Sequence, residues 1–197
     1  MKSMKSKLFD NQLIRKIFFK NLSEKISSIK LLVFDIDGVL TDGKILIEEN
    51  GNVSKSFNVK DGLAIKLLLK EGIEVVFLSG SDSNSINLRA KQLGVKKCIT
   101  GAKNKLNELK NIQLEIGFNK EETAYVGDDL NDLIVKENVS LLISPIDGHS
   151  EMKKKSDFIL SSKGGEGVVS EIARMILKLN GRLNYYSKCG WIDNNDA

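Results

Sequence analysis

Histidine, proline and tryptophan each occur once in this chain of 197 residues, and cysteine occurs twice. A single imidazole removes every chemistry that needs two, histidine-rich zinc sites included. Cys98 and Cys189 are far apart and form no CxxC pair, which argues against a disulfide framework and for a reducing compartment. Long apolar runs are missing too: the N-terminal region offers nothing longer than runs such as Ile17-Phe18-Phe19. It has the apolar core of neither a signal peptide nor a membrane span, so a soluble, cytoplasmic protein without membrane contact is expected. A strong charge bias is also lacking. Thirty Lys and Arg against 26 Asp and Glu give a net charge of +4. The lysines are spread along the chain, so a solvated surface is expected and a nucleic-acid partner is not.

What is present suits one globular domain with short appendages: 41% of residues are hydrophobic and 28% charged. Catalysis, if there is any, must run on carboxylates and lysines. Residues 1–29 read as an amphipathic helical extension, with Leu8, Ile14, Ile17, Phe18, Leu22 and Ile26 at near-helical spacing among lysines. Residues 29–34 read as a buried strand running into Asp35-Ile36-Asp37-Gly38. A hairpin is predicted over 44–58, with strands 44–48 and 53–57 around Asn50-Gly51. Helices then alternate with strands: helix 62–70, strand 73–78, helix 83–93, strand 95–99, helix 103–116, strand 123–126, helix 132–137, strand 140–143, strand 157–160 and helix 167–179. Residues 181–197 lose the pattern and read as a tail. The core domain therefore spans 30–180.

This alternation predicts an α/β fold: a Rossmann-like, mostly parallel sheet with helices on both faces and a small hairpin insertion. No large insertion follows the first strand, and the later motifs are close together, so no cap domain is expected. In such sheets ligands bind beyond the carboxyl ends of the strands. Asp35, Ser79 and Asp128 each fall there.

Asp35 and Asp37, joined by Asp128, Asp129 and Asp132, would make an oxygen-rich, negatively charged pocket that suits a hard cation such as magnesium. Acidic residues also cap helices and populate loops, which covers Asp129 and Asp132 taken singly. It covers Asp35 poorly, because a carboxylate beside a buried strand needs a partner. Lys105, early in a helix, could neutralise a phosphate, although taken alone it reads as a solvated lysine. Ser79-Gly80 offers a hydroxyl and approachable backbone N–H groups, and by itself is only a turn.

The order carries more information than any member. DxDGVLTDG after the first strand, SGS after the second, then a lysine and GDDxxD resemble the haloacid dehalogenase superfamily of aspartate-nucleophile phosphohydrolases over roughly residues 30–178. Within it the chain resembles the 3-deoxy-manno-octulosonate 8-phosphate phosphatase family, through LLVFDIDGVLTDG, FNVKDG with Ile65-Lys66 after it, RAKQLGV, residues 101–105, AYVGDDLND and GGEG.

The resemblance implies that Asp35 is the nucleophile and Asp37 the general acid and base. It implies magnesium held by Asp35, the Asp37 backbone carbonyl and Asp128, with Asp129 and Asp132 behind them. Ser79 and Lys105 would bind the phosphoryl oxygens. Substrate contacts would come from Asp37 and Lys105, from Asn58, Val59, Lys60, Asp61 and Gly62, and from Lys66 and Arg89. The substrate would be a small sugar acid phosphate. Cap-less relatives imply a homotetramer, with the hairpin at the interface and C-terminal segments reaching a neighbouring site. The apolar Ile45, Ile47, Val53 and Phe57 of the hairpin agree with that.

Ser81, Glu166 and Ser170 depart from arginines common in the octulosonate enzymes, which leaves a nine-carbon, sialic-acid-type 9-phosphate open as the substrate. A phosphoryl-accepting regulatory domain is the remoter alternative, and Asp37 argues against it. His149 reads as a loop residue.

Overall fold

A computed structural model describes residues 20–51 and 53–190. Strand β1 (Leu31–Phe34) is four apolar residues, all buried, which suits the centre of a sheet covered on both sides. Around it lie β4 (Glu74–Leu78), β5 (Lys97–Ile99), β6 (Thr123–Val126), β7 (Leu141–Ser144) and β8 (Phe158–Ile159). The six strands pair in the order β5-β4-β1-β6-β7-β8, every pair parallel. The chain leaves β1 towards β4 and β5, then returns to β6 on the other side, so the strand order reverses between β1 and β6. A ligand crevice is expected at that reversal.

Strand periodicity divides the core into two layers. Leu32, Phe34, Val75, Phe77, Ala124 and Val126 face one side, where α1 (residues 20–28), α2 (Val59–Lys70), α3 (Asn84–Leu93) and α6 (Val168–Leu179) pack. Leu31, Val33, Val76, Leu78, Tyr125 and Leu142 face the other, covered by α4 (Lys105–Ile116), α5 (Ser150–Lys155) and a 3-10 segment, Leu130–Asn138. This is the expected α/β architecture. Between β1 and α2 the described chain holds only a two-stranded hairpin, β2 (Leu46–Ile47) and β3 (Val53–Ser54), so among the described residues no cap domain is inserted at that point.

Four details differ from the sequence reading. Within the described part of the N-terminal extension, Leu22 and Ile26 of α1 are buried in the first core layer, so this helix is part of the domain; residues 1–19 lie outside the described residues. The hairpin strands are two residues each, because all four side chains are exposed and no layer packs on them to propagate pairing. The segment after Asp129 winds as 3-10 over Leu130–Asn138, starting from a capping box in which Asp129 and Asp132 bond back to the backbone. Past Gly181 a seventh helix, α7 (Leu183–Cys189), is held by Arg182 and Tyr186 on Glu71 of the α2 C-cap. Residues 191–197 lie outside the described residues. No described helix is long and apolar enough to cross a membrane.

Candidate active site

Register sets the site. Phe34 is level with Phe77 of β4 and Val126 of β6. Each of these strands therefore runs out at the same height, and Asp35, Ser79 and Asp128 emerge together at one sheet edge. The Asp35 N–H still bonds to the Val126 carbonyl (2.9 Å), which holds the nucleophile candidate rigidly against β6. The chain then turns sharply, with the N–H groups of Val39, Leu40 and Thr41 all donating to the Ile36 carbonyl. Gly38 lies inside that turn at φ 82°, and a Cβ there would come within 2.0 Å of Asp128 Oδ2. Only glycine allows the two aspartate loops to approach so closely.

Lys105 rises from the first turn of α4 into the space beneath the loops. Its side chain is 3% exposed, with Nζ 2.9 Å from Asp35 Oδ2 and 2.6 Å from Asp132 Oδ1. Taken alone Lys105 reads as a solvated helix lysine; the fold buries it instead. Asp132 is fully buried and saturated: Oδ1 also accepts from Tyr125 Oη (2.7 Å), and Oδ2 accepts from the N–H groups of Asp128 (3.0 Å) and Asp129 (3.3 Å).

Carboxylate oxygens of Asp35, Asp128 and Asp132 lie within 4.8 Å of one another. One ammonium does not offset three such charges. Burial, then Asp132, push Asp35 up to about 7 against the pull of Lys105. Burial, then Asp35 and Asp132, push Asp128 up to about 7 as well. Burial alone would depress Lys105, but the carboxylates of Asp35 and Asp132 outweigh it and raise the group. A hard divalent cation fits this donor set, since it takes oxygen ligands and supplies the missing positive charge. Asp35 and Asp128 are the carboxylates available to hold it, because the acceptor positions of Asp132 are already occupied.

Above these residues opens a cavity of about 570 Å³. Asp35, Asp37, Ser79 and Asp128 all line it, together with Gly80 and Ser81. Ser79 is buried, and its Oγ accepts from the Ser81 N–H (3.0 Å), which keeps the SGS turn folded under the cavity.

Asn58, Val59, Lys60, Asp61, Gly62, Lys66 and Arg89 do not line this cavity in the single chain. Several of them tie elements together. Asn58 caps α2 through Lys60 N–H (2.8 Å) and donates to the Gly165 carbonyl (3.0 Å). Asp61 is buried and caps α6, accepting from Gly167 N–H (3.2 Å) and Ser170 N–H (2.9 Å). Arg89 donates to the Asn58 carbonyl (3.3 Å) and lies over the Phe57 ring, at a place where a Cβ on Gly62 would be 2.4 Å from its Nη2. Val59 and Lys60 are exposed. His149 caps α5, accepting from Glu151 N–H at 3.2 Å.

Two residues of the site escaped sequence reading. Tyr125 sits in an apolar strand, and only its phenol within a TAYV run hints at a polar partner. Lys55, just past β3, reaches back to form an ion pair with Asp37; its one signal is a lysine where the second hairpin strand meets Phe57.

Comparison with known proteins gives the arrangement a class. No family model matches the chain. A structure from Legionella pneumophila described as a HAD superfamily (subfamily III A) hydrolase superimposes with a TM-score of 0.85 at 32% identity, covering 89% of this chain and 97% of that one. The fold and the aspartate cluster are those of a phosphohydrolase of the haloacid dehalogenase superfamily. The 3-deoxy-D-manno-octulosonate 8-phosphate phosphatase KdsC of Haemophilus influenzae is 36% identical over 165 residues, 84% of this chain and 92% of that protein. The corresponding phosphatase from Moraxella catarrhalis, solved with magnesium, phosphate and KDO, has a TM-score of 0.81 at 34% identity, over 84% of this chain and 95% of that one. The chain belongs to the 3-deoxy-D-manno-octulosonate 8-phosphate phosphatase family.

Proposed function

We propose that this chain is a magnesium-dependent phosphatase that hydrolyses 3-deoxy-D-manno-octulosonate 8-phosphate to the free sugar acid and phosphate. The observation that carries the mechanism is the buried Lys105 bridging Asp35 and Asp132 beneath a cavity that Asp35, Asp37, Ser79 and Asp128 share. Asp35, Asp128 and the backbone carbonyl of Asp37 would hold the magnesium ion, which would supply the positive charge that lets a carboxylate approach the phosphoryl group. The free Oδ of Asp35 attacks phosphorus; the new P–O bond forms as the ester P–O bond breaks, and Asp37 gives its proton to the departing alkoxide. Asp37, now a carboxylate, takes a proton from water. That water attacks the aspartyl-phosphate at phosphorus, releases phosphate and restores Asp35. Two of the three N–H bonds of Lys105 are committed to Asp35 and Asp132, which leaves one to stabilise the phosphoryl oxygens alongside Ser79 Oγ.

A phosphate-release assay that compares octulosonate 8-phosphate with nonulosonate 9-phosphates tests the substrate. Preference for the eight-carbon ester is expected; preference for the nine-carbon esters would replace it. Replacing Asp35 with Asn should lower kcat by about 10⁴-fold or more while the fold persists, because no amide replaces the nucleophile. Appreciable residual turnover would remove Asp35 from that role.

Assembly as a homotetramer through the hairpin is part of the proposal. Leu46 and Ile47 are 65% and 70% exposed, and Ile45 and Val53 of the same hairpin are exposed too, apolar side chains that an isolated chain would leave in water. Light scattering on the wild type is expected to give four copies, and Ile47→Glu to give fewer. We place the protein in the cytoplasm, where both of its cysteines, unbridged here, remain thiols.

A further inference from the structure

Lys55 stands out among the described lysines. Lys44, on the same loop, pairs with Asp42 at the surface with its side chain 85% exposed. The Lys55 side chain is 0% exposed, and its ammonium meets Asp37, whose own side chain remains 29% exposed to the cavity. A lysine stem is long and flexible enough to put its charge in water. Enclosing it against one half-solvated carboxylate adds little stability, since desolvating the ammonium costs as much as such a pair returns. The pairing therefore calls for a reason other than stability.

The reason lies in where Asp37 must not go. Asp35 and Asp128 crowd their oxygens together with Asp132, and Asp37 is no member of that cluster although it is only two residues from Asp35. A cation at the cluster would attract a third mobile carboxylate, and an Asp37 oxygen bound there could neither give nor take a proton. Lys55 draws Asp37 Oδ1 to the hairpin side instead, which leaves Oδ2 to carry the proton. We propose that Lys55 is a positioning residue that holds the Asp37 side chain off the metal-binding carboxylates and in place for proton transfer to the leaving group. The inference rests on the acid–base role given to Asp37 above.

Leaving groups separate this role from a merely structural one. An alkoxide leaving from a sugar phosphate needs a proton, whereas p-nitrophenolate departs without one. K55M keeps the stem and removes the charge. It should lower kcat on octulosonate 8-phosphate by about 30-fold with KM changed less than about twofold, while the first-turnover release of p-nitrophenolate from p-nitrophenyl phosphate slows by less than about threefold. K55R should recover most of the lost kcat. In a double-mutant cycle, D37N/K55M should be no slower than D37N.

Equal slowing of both esters by K55M, an effect on KM alone, an unchanged kcat, or additive losses in the cycle would each overturn the proposal. Should K55M fail to fold by thermal melting, K55Q takes its place under the same criteria. D37N separates the two levels: wild-type turnover by D37N removes the role of Asp37 and Lys55 with it, whereas an inactive D37N beside a fully active K55M removes Lys55 alone.

Discussion

Lys105 carries more of the site than its position as an ordinary helix lysine suggests. It neutralises part of a cluster that burial has stripped of water, with contacts of 2.9 Å and 2.6 Å to two carboxylates. Deleting one partner of such a network leaves charges buried and uncompensated, which costs roughly 3–5 kcal/mol. Lys105→Met should therefore lower stability by about that amount in urea unfolding of the metal-free protein and remove turnover as well. Unchanged stability would mean the carboxylates are relieved by some other group. At this scale the sequence was readable where strand ends carry polar residues: Asp35, Ser79 and Asp128 announce themselves by breaking an apolar run, and the lysine by its place in the motif order. Lys55 was not readable, because its meaning depends on the hairpin folding back over Asp37, a contact between segments that no local pattern encodes. Asp61 and Arg89 were singled out through the resemblance, and the structure shows contacts for both that the resemblance left out: an α6 cap and a cation over Phe57.

Elements far apart in the chain fix the loop that bears Asp35 and Asp37. The Gly164-Gly165 turn lies flat against it: a Cβ on Gly164 would be 2.1 Å from the Gly38 carbonyl oxygen, and one on Gly165 would be 2.7 Å from the Asp42 nitrogen. The Gly165 N–H donates to the Val39 carbonyl at 2.9 Å, and the Gly164 N–H is held by Asp147 at 3.0 Å. Gly164→Ala has no flexible side chain to displace, only backbone, so the loop bearing Asp35 and Asp37 must shift. A displacement of about 1 Å is enough for roughly a 10²-fold loss of kcat. Steady-state kinetics beside a thermal melt check this; wild-type kcat would show that the turn is only a neighbour. Element identity was legible from periodicity for every sheet strand and for the long helices. It failed where packing or capping outweighs pattern: a hairpin with nothing above it pairs over two residues per strand, a capping box tightens residues 130–138 into 3-10, and α7 forms on the Glu71–Arg182 contact although its own sequence shows no apolar stripe.

For the whole molecule, the charge imbalance at the sheet edge makes stability depend on pH and on metal together. In the metal-free protein Asp35 and Asp128 keep their protons up to about pH 7, whereas carboxyls in the unfolded chain lose theirs near about 4. Between those limits the folded state binds more protons, so its stability falls as pH rises from about 4 to about 7. Magnesium bound at Asp35 and Asp128, as proposed, would compete with those protons for the same oxygens. The rise in Tm on adding saturating magnesium should accordingly be several degrees at about pH 7.5, at roughly 2–4 °C per kcal/mol, and close to nothing at about pH 5. Equal increments at both pH values would place the cation elsewhere. Chelation should stop turnover and magnesium restore it. The α/β class and parallel sheet were legible from the alternation of strands and helices, whereas the absence of bulk over the strand ends had to be inferred from what the chain lacks between β1 and α2. The pressing of Gly164 and Gly165 on the loop after Asp35 has one more consequence, which concerns synthesis. A ribosome delivers Asp35 first, yet the backbone against which its loop is moulded, at Gly164 and Gly165, emerges only after five more strands of the sheet. A nascent chain halted before that turn would carry every acid of the mechanism and still be unable to cleave an ester.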